Sequence, residues 1–237
     1  MHSKLWSLKA TMITDLAGWV YWEGEMPSLI SLCIQSIVLY NSKIRIIDRQ
    51  QFLDLFRQDT DIDLNKLSTT ERADFIRVFL LRHYGGIWID ADCICLKTLS
   101  MFSGLARKYG FAGYIGADNL VSCNLMAAEP AHPLVVDYYD RVCNVLRSTE
   151  PRNWDAICQK PLNEAIRNYE YPLMHIEGRK ITPIPWTESQ LLYIKRPDEE
   201  HSKYVDEAAY CYMLSHSTIK ESELGNSILQ MTQSEIL

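Results

Sequence analysis

The stretch "STTERADFIRVFLLRHYGGIWIDAD", residues 68–92, restricts the fold more than any other part of the chain. From Phe75 to Leu81 it is apolar nearly all round, so it predicts a buried helix. Ser68 followed by Glu71 fits a capping box at its start. Gly85-Gly86 fits its end, because glycine enters the left-handed conformation without a Cβ clash. "GIWID" then reads as a strand.

The flanking sequence repeats the alternation. "GWVYW" (Gly18 to Trp22) reads as a strand, "PSLISLCIQSIVLYN" (Pro27 to Asn41) as a helix, "KIRIID" (Lys43 to Asp48) as a strand and "QQFLDLF" as a short helix. Strand–helix alternation predicts an α/β fold with a mainly parallel central sheet flanked by helices. Further on, "FAGYIG" and "NLMAA" read as short strands, and "HPLVVDYYDRVCNVLRS" and "KPLNEAIRNY" as helices. "ITPIPW" and "AAYCYMLSHS" read as late strands or loops. Residues 1–220 are expected to form one domain. Residues 221–237 are a polar tail, either part of a closing loop or disordered.

Acidic residues outnumber basic ones, 30 to 24, and the net charge is −6. That disfavours a nucleic-acid partner, which needs a basic face. No apolar run reaches the roughly 20 residues that span a bilayer. The first residues lack the apolar centre of a signal peptide. The expectation is a cytoplasmic protein, with peripheral contact at the inner membrane face if its acceptor is lipid-linked. The seven cysteines are odd in number and scattered, with no CxxC pair. They are expected to be mostly free thiols in a reducing compartment.

Alternation along a strand would put Ile87, Ile89, Ala91, Cys93 and Cys95 on one face and Trp88, Asp90 and Asp92 on the other. The cysteines then read as core residues. Asp90 and Asp92 would point together beyond the strand end, where open α/β sheets bind ligands. Two neighbouring carboxylates repel one another, and a divalent cation relieves this. Mn²⁺ or Mg²⁺ suits such oxygen donors, with phosphate oxygens and water completing the shell. The bland alternative is a solvated turn. Asp74 and Arg77 lie three apart on the buried helix. They read either as a structural ion pair or as groups held for a polar ligand.

D-x-x-R on a helix, then Y-G-G, then hydrophobic-D-x-D resembles the core signature of glycosyltransferase family 32. That group includes capsular polysaccharide synthesis glycosyltransferases, fungal outer-chain mannosyltransferases and the glucosylating domains of clostridial toxins. "WVYWEGEMPSLISLCIQS" and "CNLMAAEPAHP" resemble its flanking segments. The resemblance implies a GT-A type nucleotide-sugar-binding fold and retaining, metal-dependent transfer from a UDP- or GDP-sugar. It implies Asp90 and Asp92 as the metal-binding DxD, and Asp74 and Arg77 as groups that grip the donor sugar. Tyr21 and Trp22 match the place of an aromatic stacked on the base, Asp48 a base or ribose contact, and Asn124 a contact near the sugar. His216 matches a late histidine that reaches metal or diphosphate. The tryptophan that often follows that histidine is absent, and the family's Gly-Pro before a late helix is Lys160-Pro161. Trp186 reads equally as an acceptor platform or a core residue, His132 as a helix-start residue, and His83 as structural.

The expected activity is therefore hexosyl transfer from a nucleotide sugar to a glycan or lipid-linked acceptor in surface polysaccharide synthesis. Two alternatives stand beside it. One is a catalytically silent sugar-nucleotide or glycan-binding module. The other is an aspartate-dependent phosphohydrolase of the haloacid-dehalogenase type, which also places D-x-D after an apolar strand.

Overall fold

The computed structural model describes residues 17–56, 61–169, 174–185, 187–189, 206 and 208–215. Strand β1 (Gly18–Tyr21) leads into α1 (Ser28–Tyr40), which buries Leu29, Ile30, Cys33, Ile34 and Ile37 at helical spacing. Strand β2 (Ile44–Ile47) follows, then the short α2 (Arg49–Leu55), capped by Asp48. The long α3 (Thr69–Tyr84) begins at Ser68 with the expected capping box. It ends at Gly85, φ +62°, and Gly86 follows at φ +102°. A Cβ on Gly86 would lie 2.0 Å from the Ala17 carbonyl oxygen, so the crossing of α3 into the sheet admits only glycine there. Strand β3 (Gly86–Ile89) is wholly buried.

After β3 come β4 (Cys93–Cys95), α4 (Ser100–Tyr109), β5 (Phe111–Ile115), β6 (Leu125–Ala128) and α5 (Pro133–Arg147). The last described elements are α6 (Gln159–Arg167), β7 (Met174–Glu177), α7 (Gly178–Ile181) and β8 (Cys211–Met213). The "ITPIPW" and "AAYCYMLSHS" segments thus contribute the end of α7 and strand β8.

The central sheet has six strands in the order β2-β1-β3-β6-β5-β7. β1 pairs parallel with β2 and β3, and β5 with β7, whereas β6 runs antiparallel to β3 and β5. This is the mainly parallel central sheet flanked by helices that the strand–helix alternation predicts. One apolar cluster, with Trp19, Phe75, Phe79, Trp88 and Tyr138, packs α3 and α5 on one face. The other, with Val20, Ile30, Ile34, Ile87, Ile89 and Phe102, packs α1 and α4 on the opposite face.

One expectation is corrected. The strand from Gly86 does not run on to Cys95. It stops at Ile89, Ala91 and Asp92 form a turn, and Cys93–Cys95 joins β8 in a separate two-stranded sheet. The apolar side of the alternation survives, because Ile87, Ile89, Ala91, Cys93 and Cys95 all enter the second cluster. The polar side does not carry across the turn.

Candidate active site

From β1 the chain steps first to β2 on one side and then to β3 on the other. The crevice beyond the carboxyl ends of β1 and β3 is therefore a topological switch point, where open α/β sheets bind ligands. Register brings the expected residues to this edge. Tyr21 pairs with Ile47, Trp19 pairs with Trp88, and the Trp22 amide donates to the Ile47 carbonyl at 3.1 Å. Tyr21, Trp22, Asp48 and Asp90 thus stand at the ends of three adjacent parallel strands.

Arg77 forms the centre of the site. It projects from mid-α3 and is 4% exposed. Its Nη1 lies 2.9 Å from Asp74 Oδ1, and its Nη2 donates to Asp90 Oδ1 at 2.9 Å. The indole Nε1 of Trp88 donates to the same Asp90 oxygen at 2.6 Å. The Arg77 guanidinium also sits over the Trp88 ring, 5.4 Å from its centroid, and Nη1 donates to Cys158 Sγ at 3.0 Å. The Asp74–Arg77 pair thus exists, and Arg77 goes further by joining it to the DxD.

These contacts set the charges. Burial dominates at Asp74 and lifts its pKa to about 6; Arg77 opposes the lift and Asp90 adds to it. Burial alone would lower Arg77, but Asp90 and Asp74 more than offset it and raise its pKa. The Tyr138 phenol, buried beside this group, is pushed up by loss of solvent. Asp90 Oδ1 holds both donors, which leaves Oδ2 on the solvent side of a side chain that is 27% exposed.

Asp92 is half-buried, and its backbone carbonyl accepts from the Leu214 amide at 3.0 Å. Its carboxylate acts on Cys33 of α1, whose thiol is pushed up by burial first and by Asp92 second. α3 therefore positions Asp90, and Asp92 follows two residues on in the turn. The alternation rule put both on one face; the turn at Ala91-Asp92 removes its basis. Asn124 lies just before β6. Its backbone oxygen holds the Asp90 amide at 2.9 Å, and its Oδ1 accepts from Tyr114 and Ser122. These two hydroxyls fix which end of the amide is oxygen, so Nδ2 is the end that can donate.

Trp22 and Asp48 line one depression of 470 Å³ together with Glu23, Met26, Arg49 and Gln51. Asp48 is already used there, since its carboxylate accepts from the Gln51 amide at 2.8 Å as the cap of α2. Tyr21 is buried, and its hydroxyl donates to Glu23, which is paired with Arg72 at 2.6 Å. Trp22 is thus the aromatic that the depression presents. A second depression, of 390 Å³, lies at the opposite ends of the strands beside Gly18, Ile44 and Ile87, away from the carboxylates.

Among the described residues no three His, Cys, Asp or Glu side chains converge as a metal cage. Mn²⁺ or Mg²⁺ at a diphosphate needs only one or two protein carboxylates, and Asp90 Oδ2 with Asp92 supplies donors of that kind. His216 and Trp186 lie outside the described residues, as does the tail. His132 stands at the N-cap of α5 without capping it and pairs with the Tyr169 hydroxyl at 2.9 Å. His83 packs 4.3 Å from the Phe79 ring.

Sequence reasoning missed Trp88 and Cys158. Alternation had placed Trp88 beside Asp90, so its signal was present. Cys158 comes from 81 residues beyond Arg77 and carried none. The expectation of mostly free thiols holds for five of the seven cysteines. Cys33, Cys93, Cys95, Cys143 and Cys211 are free and buried, but Cys123 and Cys158 form a disulfide. It joins residues 35 apart because α6 folds back onto the segment before β6.

Residues 10–124 match the family of capsular polysaccharide synthesis proteins. Mannosyl phosphorylinositol ceramide synthase SUR1 of Saccharomyces cerevisiae is 42% identical over 66 residues, which cover 27% of this chain and 15% of that protein. Its yeast counterpart CSH1 is 37% identical over 87 residues, 35% of this chain and 20% of that protein. The chain thus spans at most a fifth of the length of these relatives. The solved structure of the PaToxG glycosyltransferase superposes over 96% of this chain and 85% of its own, with 16% identity and a TM-score of 0.48. Over residues 10–124, the stretch that carries Asp74, Arg77, Asp90 and Asp92, this chain is similar to the capsular polysaccharide synthesis proteins.

Proposed function

We propose that the chain is a metal-dependent, retaining glycosyltransferase that moves a hexose from a nucleotide diphosphate sugar to a glycan or lipid-linked acceptor in surface polysaccharide synthesis. One observation carries this: a buried arginine ties Asp74 to Asp90 at the carboxyl end of β3, at the switch point of the sheet. A purely structural pair would not need a third group that reaches solvent.

In this reading Trp22 stacks on the base in the depression it shares with Asp48. Asp90 Oδ2 and Asp92 would hold Mn²⁺ or Mg²⁺, whose chemistry is to neutralise charge on the leaving diphosphate. Arg77 and Trp88 fix the Asp90 carboxylate from behind, so that it does not reorganise as charge develops. The Asn124 amide would donate to a sugar hydroxyl. Retention follows from attack on the leaving-group face: the acceptor oxygen bonds to the anomeric carbon, the bond to the diphosphate oxygen breaks, and the acceptor proton passes to that oxygen.

The test is thermal stability with UDP, GDP, CDP and ADP, each with and without Mn²⁺, for the native chain and Asp92→Ala. A nucleotide at a hundred times its dissociation constant should stabilise by about 2.7 kcal/mol. One base should shift the native chain in a Mn²⁺-dependent way and leave Asp92→Ala unmoved. A native chain that ignores all four would sink the proposal. A chain that binds a nucleotide but turns over no donor, even with water as acceptor, would be the silent module instead.

A further inference from the structure

Asp90 is supported from two sides, and one covalent bond touches both supports. Arg77 holds its carboxylate, and the Asn124 carbonyl holds its amide at 2.9 Å. Cys158, at the start of α6, accepts from Arg77 Nη1 at 3.0 Å. Cys123 directly precedes Asn124. Cys123 and Cys158 are the two halves of the disulfide. They are also the two cysteines nearest solvent, 7% and 8% exposed against 2% or less for the five free thiols.

Opening this bridge would disturb its neighbours. A disulfide holds its sulfurs about 2 Å apart. Non-bonded heavy atoms stand about 3.5–4 Å apart. The two sulfurs must therefore separate by about 1.5 Å once the bond is broken. The elements that carry them stay docked. The Asn163 amide bonds both the amide and the carbonyl of Val121, and Gln159 Nε2 donates to Asp118 at 2.8 Å. The displacement is then taken up locally, at Cys158 against Arg77 and at Cys123 beside Asn124. A misplacement of about 1 Å near a reacting centre costs on the order of a hundredfold in rate.

We propose that the Cys123–Cys158 bridge is a redox lock on the donor site: closed, it fixes Arg77 and Asn124 behind Asp90; reduced, it lets them shift. This rests on the transferase reading above and names a regulator of that same site, a dithiol reductant. A thiolate of the dithiol attacks one sulfur, the S–S bond breaks, and the second thiol of the reductant resolves the mixed disulfide. Two electrons and two protons pass to Cys123 and Cys158, and the dithiol leaves as a cyclic disulfide.

The experiment compares the full chain oxidised, reduced with dithiothreitol that is then removed, and reoxidised with oxidised glutathione. Titration calorimetry with Mn²⁺ and UDP or GDP, well below the melting temperature, gives the affinity in each state. Amide exchange read by mass spectrometry reports the backbone. The nucleotide that binds the oxidised chain should bind the reduced chain about tenfold more weakly, and reoxidation should restore it. Exchange should quicken around Arg77 and Asn124 and stay unchanged in α1 and β2. Cys123→Ala should resemble the reduced chain and ignore the reductant. If that variant does not fold, the reversible cycle of the native chain decides alone. Equal affinity in the oxidised and reduced states overturns the lock, as does a loss on reduction that Cys123→Ala still shows. A chain that binds neither nucleotide, yet whose exchange around Arg77 and Asn124 follows the redox cycle, supports the lock and overturns the transferase reading instead. With no nucleotide and no exchange response, both fall.

Discussion

Arg77 Nη2 and Asp90 Oδ1 meet at 2.9 Å across the boundary between core and solvent, the arginine side chain 5% exposed and the aspartate 27%. The buried partner is the better anchored of the two, because Asp74 and Trp88 hold it on other sides. Asp90 is thereby aimed rather than merely neutralised. Nothing in a two-carboxylate turn alone would do this, since exposed carboxylates sample several rotamers.

Arg77→Met should leave Asp74 and Asp90 without their cation and cost about 3–5 kcal/mol, as for other broken buried pairs. Arg77→Lys keeps the charge but loses the planar fork that serves both carboxylates at once. It should fold and bind nucleotide more weakly. Urea unfolding with the nucleotide shift checks both. A loss below about 1 kcal/mol in Arg77→Met would show that the bridge contributes little.

Trp88→Phe keeps a ring in the core but deletes the indole N–H that Asp90 accepts at 2.6 Å. A hydrogen bond to a charged group contributes about 1.5–3 kcal/mol, so stability should fall by that order. The Mn²⁺-dependent nucleotide shift should shrink as well. An unchanged shift would confine Trp88 to packing.

Asp74 carries a pKa lifted to about 6 in the fold by burial, against an ordinary value of 3.8. The folded chain therefore binds more protons than the unfolded chain between pH 4 and 6, so this group's contribution to stability falls as pH rises through that window. Asp74→Asn mimics the protonated form. It should match the native chain near pH 4 and gain on it by at most about 3 kcal/mol by pH 7. Denaturant melts of both proteins in chelator check this. A difference that is flat with pH would contradict it.

The Cys123–Cys158 bridge closes a loop of 35 residues and should contribute about 2–4 kcal/mol. A reductant should lower the native chain's stability by that amount and leave Cys158→Ser unmoved. Alkylation of the denatured, unreduced chain should label five of its seven cysteines. Seven labels would show two neighbouring thiols instead.

The 237 residues by themselves determined the local elements. The capping box at Ser68, the Gly85-Gly86 stop and the apolar run of α3 act over a few residues, and all appear where their spacing put them. Asp74, Arg77 and Asp90 were legible because they lie within 17 residues of one another on a helix and the strand after it. Only the tertiary structure decided the rest. Ending β3 at Ile89 followed from the pairing of Cys93–Cys95 with β8, 118 residues beyond, and that pairing leaves Asp92 in the turn between the two sheets. The tertiary fold also brought Arg152 and Cys158 onto α3 through contacts at Glu71 and Arg77. Such contacts leave no periodic trace, because the energy that makes them comes from burying surfaces distant in sequence. No local pattern of residues encodes which distant surface will arrive.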